Sequence, residues 1–295
     1  MIKRIMGLLA ALGAVVAMAV FLPASTASAA ECATPWNASS VYWGGGAASY
    51  NGHNWTAKWW TQNERPGTAD VWADQGSCGS GGGTDPGTPS GFVVSEAQFN
   101  QMFPNRNPFY TYSGLTAALS AYPGFANTGS DTVKRQEAAA FLANVSHETG
   151  GLVYIVEQNT ANYPHYCDTS QSYGCPAGTA AYYGRGPIQL SWNFNYKAAG
   201  DALGIDLLGN PYLVEQNASV AWKTGLWYWN TQSGPGTMTP HNAMVNSAGF
   251  GETIRSINGS LECNGGNPAQ VQSRVDKYLA FVQILGTTPG SNLSC

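Results

Sequence analysis

The sequence predicts a mainly α-helical domain over residues 92–295, preceded by a small β module at residues 30–78. Three observations predict that division. Residues 31–78 carry no 3.6-residue periodicity, and short alternating pieces such as Val41–Trp43 are broken by Gly44–Gly46 and by Asn51–Gly52, the pattern of strands joined by turns. The stretch Gly79–Gly91 is Gly, Ser, Thr and Pro with a single Asp85, so it has nothing apolar to bury and reads as a flexible linker. Beyond it, apolar residues return at helical spacing, as in Val271, Val275, Tyr278, Leu279, Val282 and Leu285.

Composition narrows the function classes. With 43% apolar residues in 295, the chain can bury a sizeable core. Only 10% of its residues are charged, against about 25% in ordinary soluble domains. A net charge of −4 leaves no basic stripe to neutralise phosphates, which argues against a nucleic-acid partner. A neutral surface rich in aromatic residues suits a neutral polymer.

In chain order, residues 1–29 read as a secretory signal: Lys3 and Arg4, an apolar run from Gly7 to Leu22, then the small residues Ala27–Ala29. The run is short for a membrane span of about 20 residues. The mature protein is therefore expected outside the cell, free of the membrane and monomeric. Export puts the six cysteines in an oxidising compartment. Pairing in sequence order, Cys32–Cys78, Cys167–Cys175 and Cys263–Cys295, is the simplest connectivity. A metal site is not expected, because no Cys-x-x-Cys occurs and His53, His147, His165 and His241 are scattered.

Six of the ten tryptophans, Trp36, Trp43, Trp55, Trp59, Trp60 and Trp72, crowd into residues 31–78, too many for so small a core. Neighbouring strand residues point to opposite faces, so Trp59 and Trp60 both reach solvent only where the backbone bends. The string Ala57–Glu64, with Trp36 and Tyr42 upstream and Cys78 at the end, resembles the small chitin-binding modules of bacterial chitinases. That resemblance implies that Trp59 and Trp60 contact the chitin surface.

In the second module, Ser95 with Gln98 forms a capping-box pattern, Ser113 with Thr116 marks another helix start, and Ser191 is the candidate cap of a helix stopping at Gly200. The most informative helix runs from Asp131 to Glu148 and stops at Thr149–Gly151. Phe141, Val145 and Glu148 are related as i, i+4 and i+7, which puts a carboxyl on the core-facing stripe. Burial and the negative end of the helix dipole both act against its ionised form, as suits a general acid. Nine residues on, after an apolar Leu152–Val156 that reads as extended, stands Glu157. Two glutamates on different elements can flank a cleft. A zinc-protease motif fails because Gly151 stands where the second His belongs.

The segments His147–Gly151, Tyr182–Ser191, Ile257–Cys263 and Asn292–Cys295, with Arg274 on the terminal helix, resemble family 19 glycoside hydrolases, the chitinases of that family. The resemblance covers nearly all of residues 92–295 and implies a bilobal, lysozyme-like helical fold and a secreted endochitinase that needs no cofactor and acts on chitin and N-acetylglucosamine oligosaccharides. It implies Glu148 as the acid, Glu157 as the base in an inverting displacement, and Ser191 as a holder of the water. His147, Tyr182, Gln189, Asn195 and Asn258 would bind sugar, and Glu262 with Arg274 would form a charged support near Glu157. The short connection between the glutamates suggests that the long cleft loops of plant members are missing, leaving fewer subsites. A peptidoglycan hydrolase and a non-hydrolysing chitin lectin are the competing functions; the lectin would be expected to have lost one glutamate.

Overall fold

A computed structural model describes residues 33–34, 36–38, 40–50, 53–78 and 92–295. The expected signal, the linker at 79–91 and Cys32 lie outside the described residues. Among those described, the first module contains β1 (Val41–Tyr42), β2 (Ala47–Tyr50), β3 (His53–Ala57), β4 (Thr61–Gln62) and β5 (Trp72–Ser77). Strand β1 pairs antiparallel with β4, and β2, β3 and β5 form a second antiparallel sheet in that order. A small core of Ala48, Ala57, Val71 and Trp72 holds the sheets together. The chain bends at Lys58 and Trp59, between β3 and β4. That bend is what allows the adjacent Trp59 and Trp60 both to be exposed, at 56% and 49%.

The second module is helical: α1 (Glu96–Met102), α2 (Tyr112–Ala118), α3 (Asp131–Glu148), α4 (Asn193–Leu203), α5 (Leu213–Gln216), α6 (Ala218–Thr231), α7 (Pro240–Val245), α8 (Phe250–Glu262) and α9 (Pro268–Ile284). Helix α3 is its axis. Ser130 caps it through Val133 N–H, and every residue from Glu137 to Ser146 is buried. The apolar stripe expected from Phe141 and Val145 is therefore wider than one face, because α9, α7 and α8 all pack around the helix. Its interior carboxylate, Glu137, accepts hydrogen bonds from Ala126 N–H, Trp229 Nε1 and His241 Nδ1, so its burial leaves no unpaired charge.

Two apolar clusters divide this module into lobes. One surrounds α3 with Phe99, Leu115, Trp222, Trp229, Phe250 and Tyr278. The other gathers Tyr182, Ile188, Tyr196, Leu207, Val214 and Trp227 around α4, α5 and one side of α6. Glu148 ends α3 in the first lobe, while the Tyr182–Ser191 segment belongs to the second.

Local expectations fare unevenly. Ser95 and Gln98 make the reciprocal capping box, and Val271, Val275, Tyr278 and Val282 form the buried face of α9. Helix α2 is capped two residues before the expected Ser113, by Thr111, whose hydroxyl accepts from Gly114 N–H. Helix α4 is not capped by Ser191: it begins after Trp192, which has a left-handed φ of 74°. Nor does it stop at Gly200, which lies inside it where an added Cβ would stand 2.6 Å from Ile205 O; Gly204 ends it in the left-handed conformation. The segment Leu152–Val156 is a turn rather than an extended connection. Gly150, Gly151 and Leu152 all have positive φ, and only Val156 bridges, to Arg185.

Disulfides join Cys167 to Cys175 and Cys263 to Cys295, and Cys78 is also disulfide-bonded. No described helix is long and apolar enough to cross a membrane. Replacing Cys263 and Cys295 by Ser should lower stability by about 3–4 kcal/mol on the loop-closure relation, since the bond spans 32 residues. Urea unfolding of the variant against the oxidised parent measures this, and peptide mapping of the non-reduced protein should find no bond from residues 31–78 to residues 92–295.

Candidate active site

Glu148 stands at the meeting of two hollows. One, of about 360 Å³, is lined by His147, Glu148, Asn258, Leu261, Glu262, Asn267, Gln270 and Arg274. The other, of about 300 Å³, is lined by Glu148, Tyr154, Val156, Glu157, Gln158, Tyr166, Gly184, Gln189 and Ser191. The only side chain common to both is a carboxylate 20% exposed at the end of α3.

Behind Glu148 lies a buried cation. Arg274 of α9 donates from Nε and Nη2 to the two oxygens of Glu262, each at 2.8 Å, and from Nη1 to Asn144 Oδ1 at 3.1 Å. Nη2 also reaches Glu148 Oε1 at 2.5 Å. Burial opposes the charge on Arg274, but the Glu148 and Glu262 carboxylates outweigh it and hold the guanidinium above its ordinary pKa. Burial likewise pushes against ionised Glu262, and the bonds from Arg274 and Asn258 outweigh it, leaving that carboxyl below its ordinary value. Asn258 reaches Glu262 Oε1 at 2.8 Å from a kink in α8, where its φ of −144° departs from the helix. His147 is pulled below its usual pKa by burial and by Arg274, so its imidazole is neutral near pH 7; Nδ1 lies 3.1 Å from Ser273 Oγ.

Glu157 is held by neutral groups instead. Its Oε1 accepts from Asn162 Nδ2 at 2.7 Å and from the Tyr166 hydroxyl at 3.0 Å. Burial and the neighbouring Glu157 push the Tyr166 hydroxyl up to about 12, which keeps it a donor. The backbone of Glu157 is tied at both ends: its N–H donates to Gly184 O, and its C=O accepts from the Tyr163 hydroxyl. Tyr163 stacks on Tyr183 with centroids 3.6 Å apart, and the Arg185 guanidinium lies 3.5 Å from the Tyr183 centroid. Glu215 pairs with Arg185 at 2.6 Å, so the charge under this stack is compensated.

The structure brings Glu148, Glu157, Gln189 and Ser191 to one hollow, and His147, Asn258, Glu262 and Arg274 to the other. The Ser191 hydroxyl makes no hydrogen bond among the described residues, while the Ser191 carbonyl accepts from Asn195 Nδ2 at 3.0 Å. Asn195 lines neither hollow. Two expectations need correction. Glu262 and Arg274 support Glu148, not Glu157, because α9 packs along α3 and delivers the guanidinium to the end of that helix. Tyr182 is not a sugar-binding residue: it is fully buried, and its hydroxyl is spent on Leu208 O and Ala177 N–H.

Asn144, Asn162, Tyr163 and Tyr166 were missed in the sequence. Asn144 had a signal, since it sits one helical turn before Glu148 on the same side of α3. The other three lie in the 3-10 segment Thr160–Tyr166, where no periodicity marks a face. No described group of three His, Cys, Asp or Glu side chains is arranged to hold a metal ion.

Two lobes of helices with a carboxylate from each on one cleft define a lysozyme-like glycosidase class. Residues 93–295 match the family model for chitinase class I, glycoside hydrolase family 19, and the chain belongs to that family. It is 79% identical to chitinase C from Streptomyces griseus HUT6037, whose crystal structure it matches with a TM-score of 0.69 over 90% of this chain and all of that one. A class IV family 19 chitinase from Zea mays is 45% identical, with a TM-score of 0.61 over 69% of this chain and 98% of that one. Endochitinase A of Zea mays is 48% identical over 188 residues, and the chain spans 63% of that relative's length.

The ionic cluster yields a stability test. Arg274→Met strands the buried Glu262 carboxylate, and breaking a buried pair in this way costs about 3–5 kcal/mol. Chemical denaturation should show that loss, and removing both charges in R274M/E262L should recover a large part of it.

Proposed function

We propose that this chain is a secreted endochitinase that hydrolyses β-1,4 bonds between N-acetylglucosamine units by a single, inverting displacement. The observation that carries the reading is the shared hollow, with Glu148 on one side, Glu157 on the other and the unengaged Ser191 hydroxyl beside them. Glu148 gives a proton to the glycosidic oxygen. Glu157 takes a proton from the attacking water, which Ser191 helps to hold. Gln189, Asn258 and His147 offer amide and imidazole groups to the sugar's N-acetyl and hydroxyl substituents.

The contrasting surroundings of the two carboxylates support this division. Arg274 keeps two bonds to Glu262 and one to Asn144 when Glu148 carries a proton, so its charge is never stranded. As the proton leaves, the carboxylate forming on Glu148 meets a guanidinium already oriented toward it, which is preorganised electrostatic stabilisation. Glu157 faces neutral donors, Asn162 and Tyr166, that hold its side chain in one orientation without a counter-charge.

Residues 30–78 serve, in this reading, as a chitin-binding module, with Trp59 and Trp60 against the polymer. The linker at 79–91 raises the local concentration of the catalytic domain at the surface without altering the chemical step. The likeness to chitinase C covers 90% of this chain and so extends beyond residues 93–295, which supports a first module shared with a chitinase. Residues 1–29 act as the signal for export.

Glu148→Gln removes the transferable proton while nearly preserving shape. Turnover of N-acetylglucosamine hexamer should fall by at least the 10²–10⁴-fold that general acid catalysis supplies, with oligosaccharide affinity retained in calorimetry. Residual turnover above about a tenth of the parent's, far more than loss of a general acid leaves, would mean the acid is another group. Stereochemistry tests the base. Inversion needs a carboxyl separation of roughly 6.5–9.5 Å to admit water, and the first product from a β-linked substrate is then the α-anomer. Proton NMR of fresh hexamer digests, read before mutarotation, should find it; an initial β-anomer would remove Glu157 from the role of base. A turbidity assay on bacterial cell walls run beside these should show little clearing compared with chitin.

A further inference from the structure

The six tryptophans of the first module fall into two sets. Trp36, Trp55 and Trp72 each lie against another ring, Tyr50, His53 and Tyr42 respectively, at centroid distances of 5.7, 6.1 and 5.1 Å. Trp55 and Trp72 also spend their indole N–H groups on Tyr50 O and Glu64 O. Trp43, Trp59 and Trp60 do neither. Among the described residues they touch no other aromatic ring and their N–H groups have no hydrogen-bond partner, and Trp43 is the most exposed of the three at 69%.

Strand register says where Trp43 points. In the β1–β4 pair, Val41 stands opposite Gln62 and Tyr42 opposite Thr61. Tyr42 and Thr61 point inward, Thr61 fully buried and Tyr42 edge-on to Trp72, while Val41 and Gln62 are exposed. One step further along, the register sets Trp43 opposite Trp60, on the outward face, since side chains directly opposite each other in an antiparallel pair share a face. The closeness of the two chains beyond the ladder is independent of that extrapolation. A Cβ on Gly44 would lie 3.2 Å from Lys58 O and 3.5 Å from Trp59 Cα, and Gly45 N–H bonds to Ala57 O at 2.7 Å.

We infer that Trp43 is a third sugar-stacking residue on the same face as Trp59 and Trp60, and that this three-indole face takes a flat array of β-1,4-linked N-acetylglucosamine chains. The inference rests on reading residues 30–78 as a chitin-binding module. The face suits that occupant in charge as well as shape. The charged group beside the indoles is Lys58, whose ammonium lies 6.0 Å from the Trp59 ring centre. The ring faces offer stacking surface to C–H faces of the sugars, and the indole N–H groups offer donors to acetyl and hydroxyl oxygens. A third ring set across the strand pair from the adjacent two widens the contact in a second direction, which favours a surface of parallel chains over one soluble chain.

The test uses the full chain and binding isotherms on insoluble chitin. W59A/W60A should lose adsorption, and W43A should weaken it about fivefold to tenfold, the range expected for one stacking aromatic. W43F should keep most of the parent's affinity. Adsorption of W43A equal to the parent's, under conditions where W59A/W60A fails, overturns the inference and leaves the module's function standing. Parent-like adsorption by W59A/W60A overturns that function and the inference with it. Oxidative footprinting of the unmodified protein, read by peptide mass spectrometry, gives an answer independent of how the variants fold. Chitin should protect Trp43 together with Trp59 and Trp60, and oxidation of Trp43 at an unchanged rate while the other two are protected overturns the inference.

Discussion

Arg274 is the constraint around which the catalytic domain is arranged. A guanidinium 1% exposed persists only where carboxylates and hydrogen-bond acceptors surround it, since an unpaired buried charge costs several kcal/mol. Its acceptors come from two other helices: Asn144 and Glu148 from α3, and Glu262 from α8. The three helices can therefore slide past one another only by breaking an ionic bond in a dry interior. The register of the first lobe is set at the place where the carboxyl of Glu148 meets solvent.

The opposite wall of the cleft is built on other physics. Among the described residues no cation pairs with Glu157; its carboxylate is met by an amide, a phenol and, at 3.5 Å, the Gly184 N–H, and its backbone is pinned through Gly184 and Tyr163. The charge in this wall, Arg185 with Glu215, lies one layer back beneath the stacked tyrosines. One carboxylate thus has a counter-ion within contact and the other has neutral donors, although both come from a short stretch of chain. Environment rather than residue type separates them.

Much of this was legible in the sequence wherever a local rule decides the outcome. The end of α3 followed from its Thr149–Gly151 stop, the start of α1 from its capping box, and α9 from its apolar spacing. Trp59 and Trp60 were marked by the arithmetic of too many indoles for too small a core. Local rules failed where tertiary contacts intervene. Leu152–Val156 has the composition of a strand, yet Leu152 turns back into the first core, where its N–H is taken by the Thr149 hydroxyl. Gly200 resembles a helix stop but is required inside α4 by the close approach of Ile205. The family pattern pointed to Arg274 and Glu262 but attached them to the wrong glutamate, since one dimension does not reveal which helix α9 lies along. Tyr182 sits in the family motif for reasons of packing, and Trp43 was hidden because its exposure depends on register with a strand some twenty residues away.

The turn between the two glutamates has a further meaning for how such an enzyme can change. Leu152 is buried in the first lobe, and Val156 bridges to Arg185 in the second, so the chain from Glu148 to Glu157 is a short strap clamped at each end. The gap between the carboxylates is a property of that strap and not of an exposed rim residue such as Leu261, which lines the hollow on the other side of Glu148. Under the proposed function, drift at the rim would alter how tightly sugars are gripped without moving the two carboxylates relative to each other. Grip and bond cleavage would then sit on separately variable parts of the same cleft, one free to diversify while the other stays fixed.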